Sequence, residues 1–165
     1  MKFRKDIPEG EGNLFIKLKD GEHVFGVFRG EPYEFFTIWD KSAGKSHVVE
    51  EGTKGASFRF RLNFVVKENG EYVAKIFENG ATVYKQLDEI NQEYNLEGVV
   101  VKLKRNGTGL DTTYSILPSA NQKADQGALT KVKLLDLKHQ DKDSEPPMPS
   151  QENAPSFDQD EELPF

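Results

Sequence analysis

Residues 58–78, FRFRLNFVVKENGEYVAKIFE, limit what this chain can fold into more than any other stretch. Two runs of alternating residues flank Asn69-Gly70, a pair that tolerates positive φ and so sets a two-residue type I′ hairpin turn. Such a turn pairs residues whose numbers sum to 139, and paired residues share a face of the sheet. One face then carries Phe58, Phe60, Leu62, Phe64 and Val66 opposite Val73, Lys75 and Phe77, the makings of a barrel interior. The other carries Arg59, Arg61, Asn63, Val65 and Lys67 opposite Tyr72, Ala74, Ile76 and Glu78. That second face is expected to be an outer surface, basic, partly aromatic and flat.

Around this hairpin the chain keeps mostly to strands. LFIKLKDGEHVFGVFRG holds two alternating runs joined by Asp20-Gly21, a further hairpin signal, and YEFFTIW follows as another strand. KSAGKSHVVEEGTKGAS, rich in Gly, Ser and Lys, is expected to be a loop. The period then changes. In TVYKQLDEINQEY, Val83, Leu87, Ile90 and Tyr94 recur at helical spacing, with Thr82 as the expected N-cap. GVVVKLKR is a strand, NGTGL a turn, and TTYSILP a last strand closed by Pro118. LTKVKLLDLK is apolar enough to pack as a final short element, its type left open by the pattern. Strands, one helix, then two strands is the order of an OB-fold, a small barrel with its helix between strands three and four. Another small β-barrel with an inserted helix has the same order.

From about Gln140 the text becomes QDKDSEPPMPSQENAPSFDQDEELPF, polar, rich in proline and with almost nothing to bury. A disordered, extended tail is expected there. The expected division is therefore an OB-fold-like domain over residues 1–139, its first 12 residues a flexible arm, and an acidic tail over 140–165. The net charge of −6 belongs to the tail. Residues 141–165 hold eight acids against Lys142, which leaves 21 basic and 20 acidic side chains in the first 140 residues. A body so close to neutral can still carry a basic groove if its charges are sorted by face.

Several chemistries are excluded or disfavoured. With no cysteine, disulfides and thiolate metal sites are ruled out, and His23, His47 and His139 lack metal-ligand spacing. No cofactor is expected. The charged start MKFRKDIPEGEGN is unlike a secretory signal and no window has the length of a membrane span, so a soluble cytoplasmic protein is expected. AGKS resembles part of a phosphate-binding P-loop, but Trp39 stands where the first glycine of that motif belongs. No nucleophile–histidine–acid set can be assembled, so the chain is not expected to be an enzyme.

What the residues do offer is a nucleic-acid platform. Arg59, Arg61 and Lys67 suit phosphates, Tyr72 can stack on a base, and Asn63 can hydrogen-bond one. A solvated sheet face has the same alternation. A bulge would swap faces and bring forward Phe60, Phe64, Lys75 and Phe77. Lys102 and Lys104, with Arg105 at the strand end, would lengthen the positive track, and Trp39, near Tyr33, Phe35 and Phe36, is a further aromatic candidate.

Taken together, SFRFRLNFVVKENGEYVAKIFENGATVYKQLDEINQEY, VKLKRNGTGLDTTYSILP and FGVFRGEPYEFFTIW resemble a bacteriophage single-stranded-DNA-binding protein. The terminus DEELPF resembles the acidic tip of bacterial single-stranded-DNA-binding proteins: a run of acids, an aliphatic residue, proline and a final phenylalanine. The resemblance implies a sequence-tolerant protein of DNA replication, recombination and repair. It also implies that Asp160, Glu161, Glu162, Leu163, Pro164 and Phe165 dock onto partner enzymes, with the ring in an apolar pocket and the acids on a basic rim. Glu161 and Glu162 stand where that tip has aspartates, which preserves the charge. Two other readings are an RNA-binding OB module and a DNA mimic or adaptor acting through its tail. The nearly neutral body argues against a mimic.

Overall fold

The computed structural model describes residues 14–139. Its frame is one antiparallel sheet: β1 (His23–Asp40), β2 (Lys45–Val49), β3 (Ser57–Glu68), β4 (Glu71–Gly80), β5 (Val101–Asn106) and β6 (Thr113–Pro118). Helix α1 (Ala81–Tyr94) lies between β4 and β5, and a short helix α2 (Gln126–Thr130) follows β6. The sheet runs β4-β3-β1-β5-β6, with β2 added to the far end of β1. Without β2, this is the OB-fold order of a mainly β protein: a meander of three strands, a helix, and a second hairpin returning to the first strand.

The central hairpin forms in the expected register. Arg59 pairs with Gly80, Phe64 with Lys75 and Lys67 with Tyr72, without interruption. Asn69 and Gly70 both take positive φ, 52° and 83°, as a type I′ turn requires. Phe60, Leu62, Phe64, Val66 and Phe77 point into the barrel with Phe28, Val101, Leu103 and Ile116, and Val83 and Leu87 of α1 close this core. The Phe28 and Phe64 rings lie 4.5 Å apart. With the register unbroken, the alternative in which Phe60, Phe64 and Phe77 turn outward does not arise.

Other local expectations need correction. VFGVFRG and YEFFTIW are one strand, because β1 crosses an irregularity between Arg29 and Tyr33 and continues pairing with β3 beyond it. Gly30, at φ 80°, supplies the left-handed residue within that break. Asp20-Gly21 does form a turn, with the Glu22 N–H donating to the Lys19 carbonyl, but no hairpin follows. β1 spends its start on β5, and the preceding segment bridges to β4 through Phe15 and Ile76. The Gly/Ser/Lys-rich stretch contains β2, and Thr82 sits inside α1, whose cap is Gly80 without a side-chain bond. α1 keeps Val83 and Leu87 buried, Ile90 half-buried and Tyr94 exposed.

One close approach shows how tightly the barrel is drawn. A Cβ placed on Gly26 would lie 2.6 Å from the Phe64 ring and 2.7 Å from the Val65 carbonyl oxygen. Gly26→Ala is therefore expected to destabilise the fold by about 1–3 kcal/mol through overpacking. Urea unfolding of the variant against the parent measures it.

Candidate nucleic-acid interface

The outer face of β3 and β4 is where the sequence places most candidate residues, and it is not an open surface. The chain after β6 turns back across it. α2 and residues 131–137 form a strap that packs Leu129, Val132, Leu134 and Leu135 onto Val27, Val65, Ala74 and Val100. Leu137 ends the strap against Phe15 and Ile76. The expectation of an exposed platform is corrected by burial on this side: Val65 is 1% exposed, Asn63 3%, and Ile76 0%. LTKVKLLDLK thus resolves into the end of α2 and an irregular strap.

Arg61 and Asn63 hold the strap. The Asn63 carboxamide donates to the Leu135 carbonyl at 3.1 Å and accepts from the Leu135 N–H at 2.8 Å, which satisfies both backbone polar groups of that strap residue. Arg61 donates from Nε to Glu78 at 2.9 Å and from Nη1 to the Leu137 carbonyl at 2.8 Å. Its guanidinium also lies 5.2 Å from the ring centroids of both Phe15 and Phe35. Arg59 shares Glu78 at 3.1 Å. At the other end, the Tyr72 hydroxyl accepts from the Asp125 N–H at 3.1 Å, and Lys67 Nζ sits 5.7 Å from the Tyr72 ring. Beneath the strap lie valines, an alanine and an isoleucine, with Phe25 and Tyr72 packed at the edge of the same cluster, so this face is closed as a core. Burying each such Val or Ile favours the closed strap by about 1.5–3 kcal/mol over exposure.

Four further candidates are positioned by local pairing. Lys75 pairs with Glu68 at 3.0 Å, on the strand face that also carries Phe77. Arg105 is structural: Nη1 donates to the Leu18 carbonyl at 2.8 Å and Nη2 to Thr112 Oγ1 at 3.3 Å, tying the N-terminal segment to the β5–β6 hairpin. Its Nε is buried with no partner. Lys102 and Lys104 pair across the sheet with Phe25 and His23, on the same outer face as Val27, Val65 and Lys67 but beside the strap.

The β1–β2 ribbon adds what pattern alone could not place. Trp39 pairs with Ser46 and Thr37 with Val48, so these residues share one face. Trp39 is 56% exposed and Val48 69%, an unusual amount of apolar surface for a ribbon with so little beneath it. The Asp40 carboxylate builds the turn, accepting from the Ser42 and Ala43 N–H groups and meeting His47 Nε2 at 3.0 Å. The Ala43 N–H, then His47, holds the Asp40 carboxyl below its ordinary 3.8. Lys41 and Lys45 flank this turn and are exposed. The ribbon occupies the connection between the first two barrel strands, and the β5–β6 turn exposes Leu110 at 74%. Those two connections are the ones with which OB-folds reach ligands.

Among the described residues no cluster of His, Asp and Glu could hold a metal ion, and no helix is long and apolar enough to cross a membrane. Asp160, Glu161, Glu162, Leu163, Pro164 and Phe165 lie outside the described residues. The chain matches no family model, no curated protein and no solved structure.

Because Arg61 is half of a buried ion pair, its removal should act first on stability. Arg61→Ala is expected to cost about 3–5 kcal/mol by breaking a buried ion pair and leaving the Leu137 carbonyl without its donor, with Glu78 left to Arg59 alone. Asn63→Ala should cost about 1–3 kcal/mol by leaving the Leu135 N–H and carbonyl without their partner. Lys67→Ala, exposed, should stay within about 0.5 kcal/mol of the parent. Chemical denaturation of the three variants separates these outcomes.

Proposed function

We propose that this protein binds single-stranded DNA with little sequence preference, and that it acts by binding and not by catalysis. The observation that carries the reading is the exposed Trp39, one residue before the turn that Lys41 and Lys45 flank, on a ribbon set where OB-folds engage their ligands. An indole can stack on any base while the lysines meet phosphates, and such stacking is worth about 1–3 kcal/mol per base. The lysines of β5, beside the strap, extend the positive surface. The resemblance of the sequence to bacteriophage single-stranded-DNA-binding proteins supports the same reading, and the proposed role is accordingly in DNA replication, recombination and repair within the cytoplasm.

Trp39 is the only tryptophan, which makes the test direct. Oligo-dT should quench the intrinsic fluorescence of the full-length protein. The apparent affinity should fall with salt at a log–log slope of roughly −0.7 per phosphate neutralised. Trp39→Ala, followed by fluorescence anisotropy of labelled oligo-dT, should weaken binding by about 1–3 kcal/mol without changing the unfolding midpoint. Equal affinity for duplex DNA, or no dependence on salt, would overturn the reading. Oligo-U binding tighter than oligo-dT would shift it to RNA.

The tail is proposed to recruit partner enzymes through Phe165 and the acids before it. Deleting Phe165 removes the apolar anchor and no side-chain charge. Capture of replication and repair proteins by the full-length chain should therefore collapse while oligo-dT affinity is unchanged. Undiminished capture would leave the tail as a charged brush only.

A further inference from the structure

The strap covers the face on which the sequence places the phosphate contacts, yet it carries cations of its own. Its alternation is regular: Val132 and Leu134 turn inward onto the Val27–Val65 cluster, while Lys131 and Lys133 are exposed. Lys123 and Lys138 are exposed at its two ends. The two acids of the same segment are engaged in local turns. Asp125 accepts from the Ala128 N–H at the start of α2. Asp136 accepts from the Lys138 N–H at 3.0 Å and meets His139 at 2.7 Å. Neither Lys131 nor Lys133 pairs with a carboxylate among the described residues. The strap thus replaces a buried apolar sheet face with a surface of unpaired cations, lying over the same outer face that bears Lys67, Lys102 and Lys104.

Resting on the reading of this protein as a binder of single-stranded DNA, we propose that the strap stays closed in the complex and that Lys131 and Lys133 contact the phosphate backbone of the bound strand. A strand lying over the closed strap meets lysines. One that displaced it would have to break the bonds of Asn63 to Leu135 and of Arg61 to Leu137 and uncover Val27, Val65, Ala74 and Ile76. Charge complementarity and side-chain chemistry therefore favour the same path.

The test uses the full-length chain and labelled oligo-dT over a series of salt concentrations. The double variant Lys131→Ala/Lys133→Ala touches only exposed side chains, and an unchanged thermal midpoint verifies its fold. Its log–log salt slope should be shallower than the parent's by about 1.4, since each lost phosphate contact removes roughly 0.7. Its affinity loss should be greatest at low salt. Amide hydrogen exchange adds a readout that bulk charge does not move. The Leu135 N–H, held by Asn63, should remain protected when oligo-dT is bound. An unchanged salt slope in the double variant, or loss of Leu135 protection on adding DNA, overturns this proposal while leaving DNA binding itself intact. A parent protein that binds no oligo-dT fails the underlying reading instead, and this one with it.

Discussion

β3 is buried on both of its faces, and the rest of the molecule is arranged to make that possible. Residues 60–66 are buried in succession, although they alternate between phenylalanine, leucine and valine on one side and arginine, asparagine and valine on the other. The first side is satisfied by the barrel. The second needs its own cover, since an arginine and an asparagine without partners would lose more in desolvation than their neighbours gain. The strap supplies that cover with peptide groups placed to meet them.

Arg61 is the point where these demands meet. Its guanidinium has a carboxylate on Glu78, a carbonyl on Leu137, and rings of Phe15 and Phe35 near it. Each partner belongs to a different segment: β4, the strap, the N-terminal segment and the second half of β1. A single buried cation therefore ties together four parts of the chain that the hydrophobic pattern would not by itself bring into register. Asn63 ties β3 to the strap through both backbone groups of Leu135. Buried ion pairs are often no more stabilising than well-packed apolar residues of the same volume, but removing one partner is costly.

The strap occupies the middle of the sheet face. In the proposed role, contact with a flexible polyanion would fall to the Trp39 ribbon, the lysines of β5 and the outer surface of the strap. Such surfaces suit a ligand read through phosphate charge and ring faces, because neither demands one fixed pocket. They also explain why no enclosed, polar cavity is needed for the proposed role.

Much of this architecture is written locally. Asn69-Gly70 fixes a turn, the turn fixes a register, and the register decides which residues share a face, so the core of Phe60, Phe64 and Phe77 is legible from the chain alone. The helical period of Val83 and Leu87 is equally local, as is the strand–helix–strand order. What alternation cannot tell is whether a polar face meets water or another segment. Arg61, Asn63 and Val65 have the same pattern either way, and the segment that covers them arrives some seventy residues later as a short apolar stretch without clear periodicity. β2 was hidden for a related reason: KSHVV is paired on one side and otherwise solvated, so no buried face marks it. Local sequence determined the β3–β4 hairpin, its turn and its register, and the helix α1. Only tertiary packing decided which of the sheet's faces became surface, because burial of a face depends on a distant segment whose arrival no local pattern encodes.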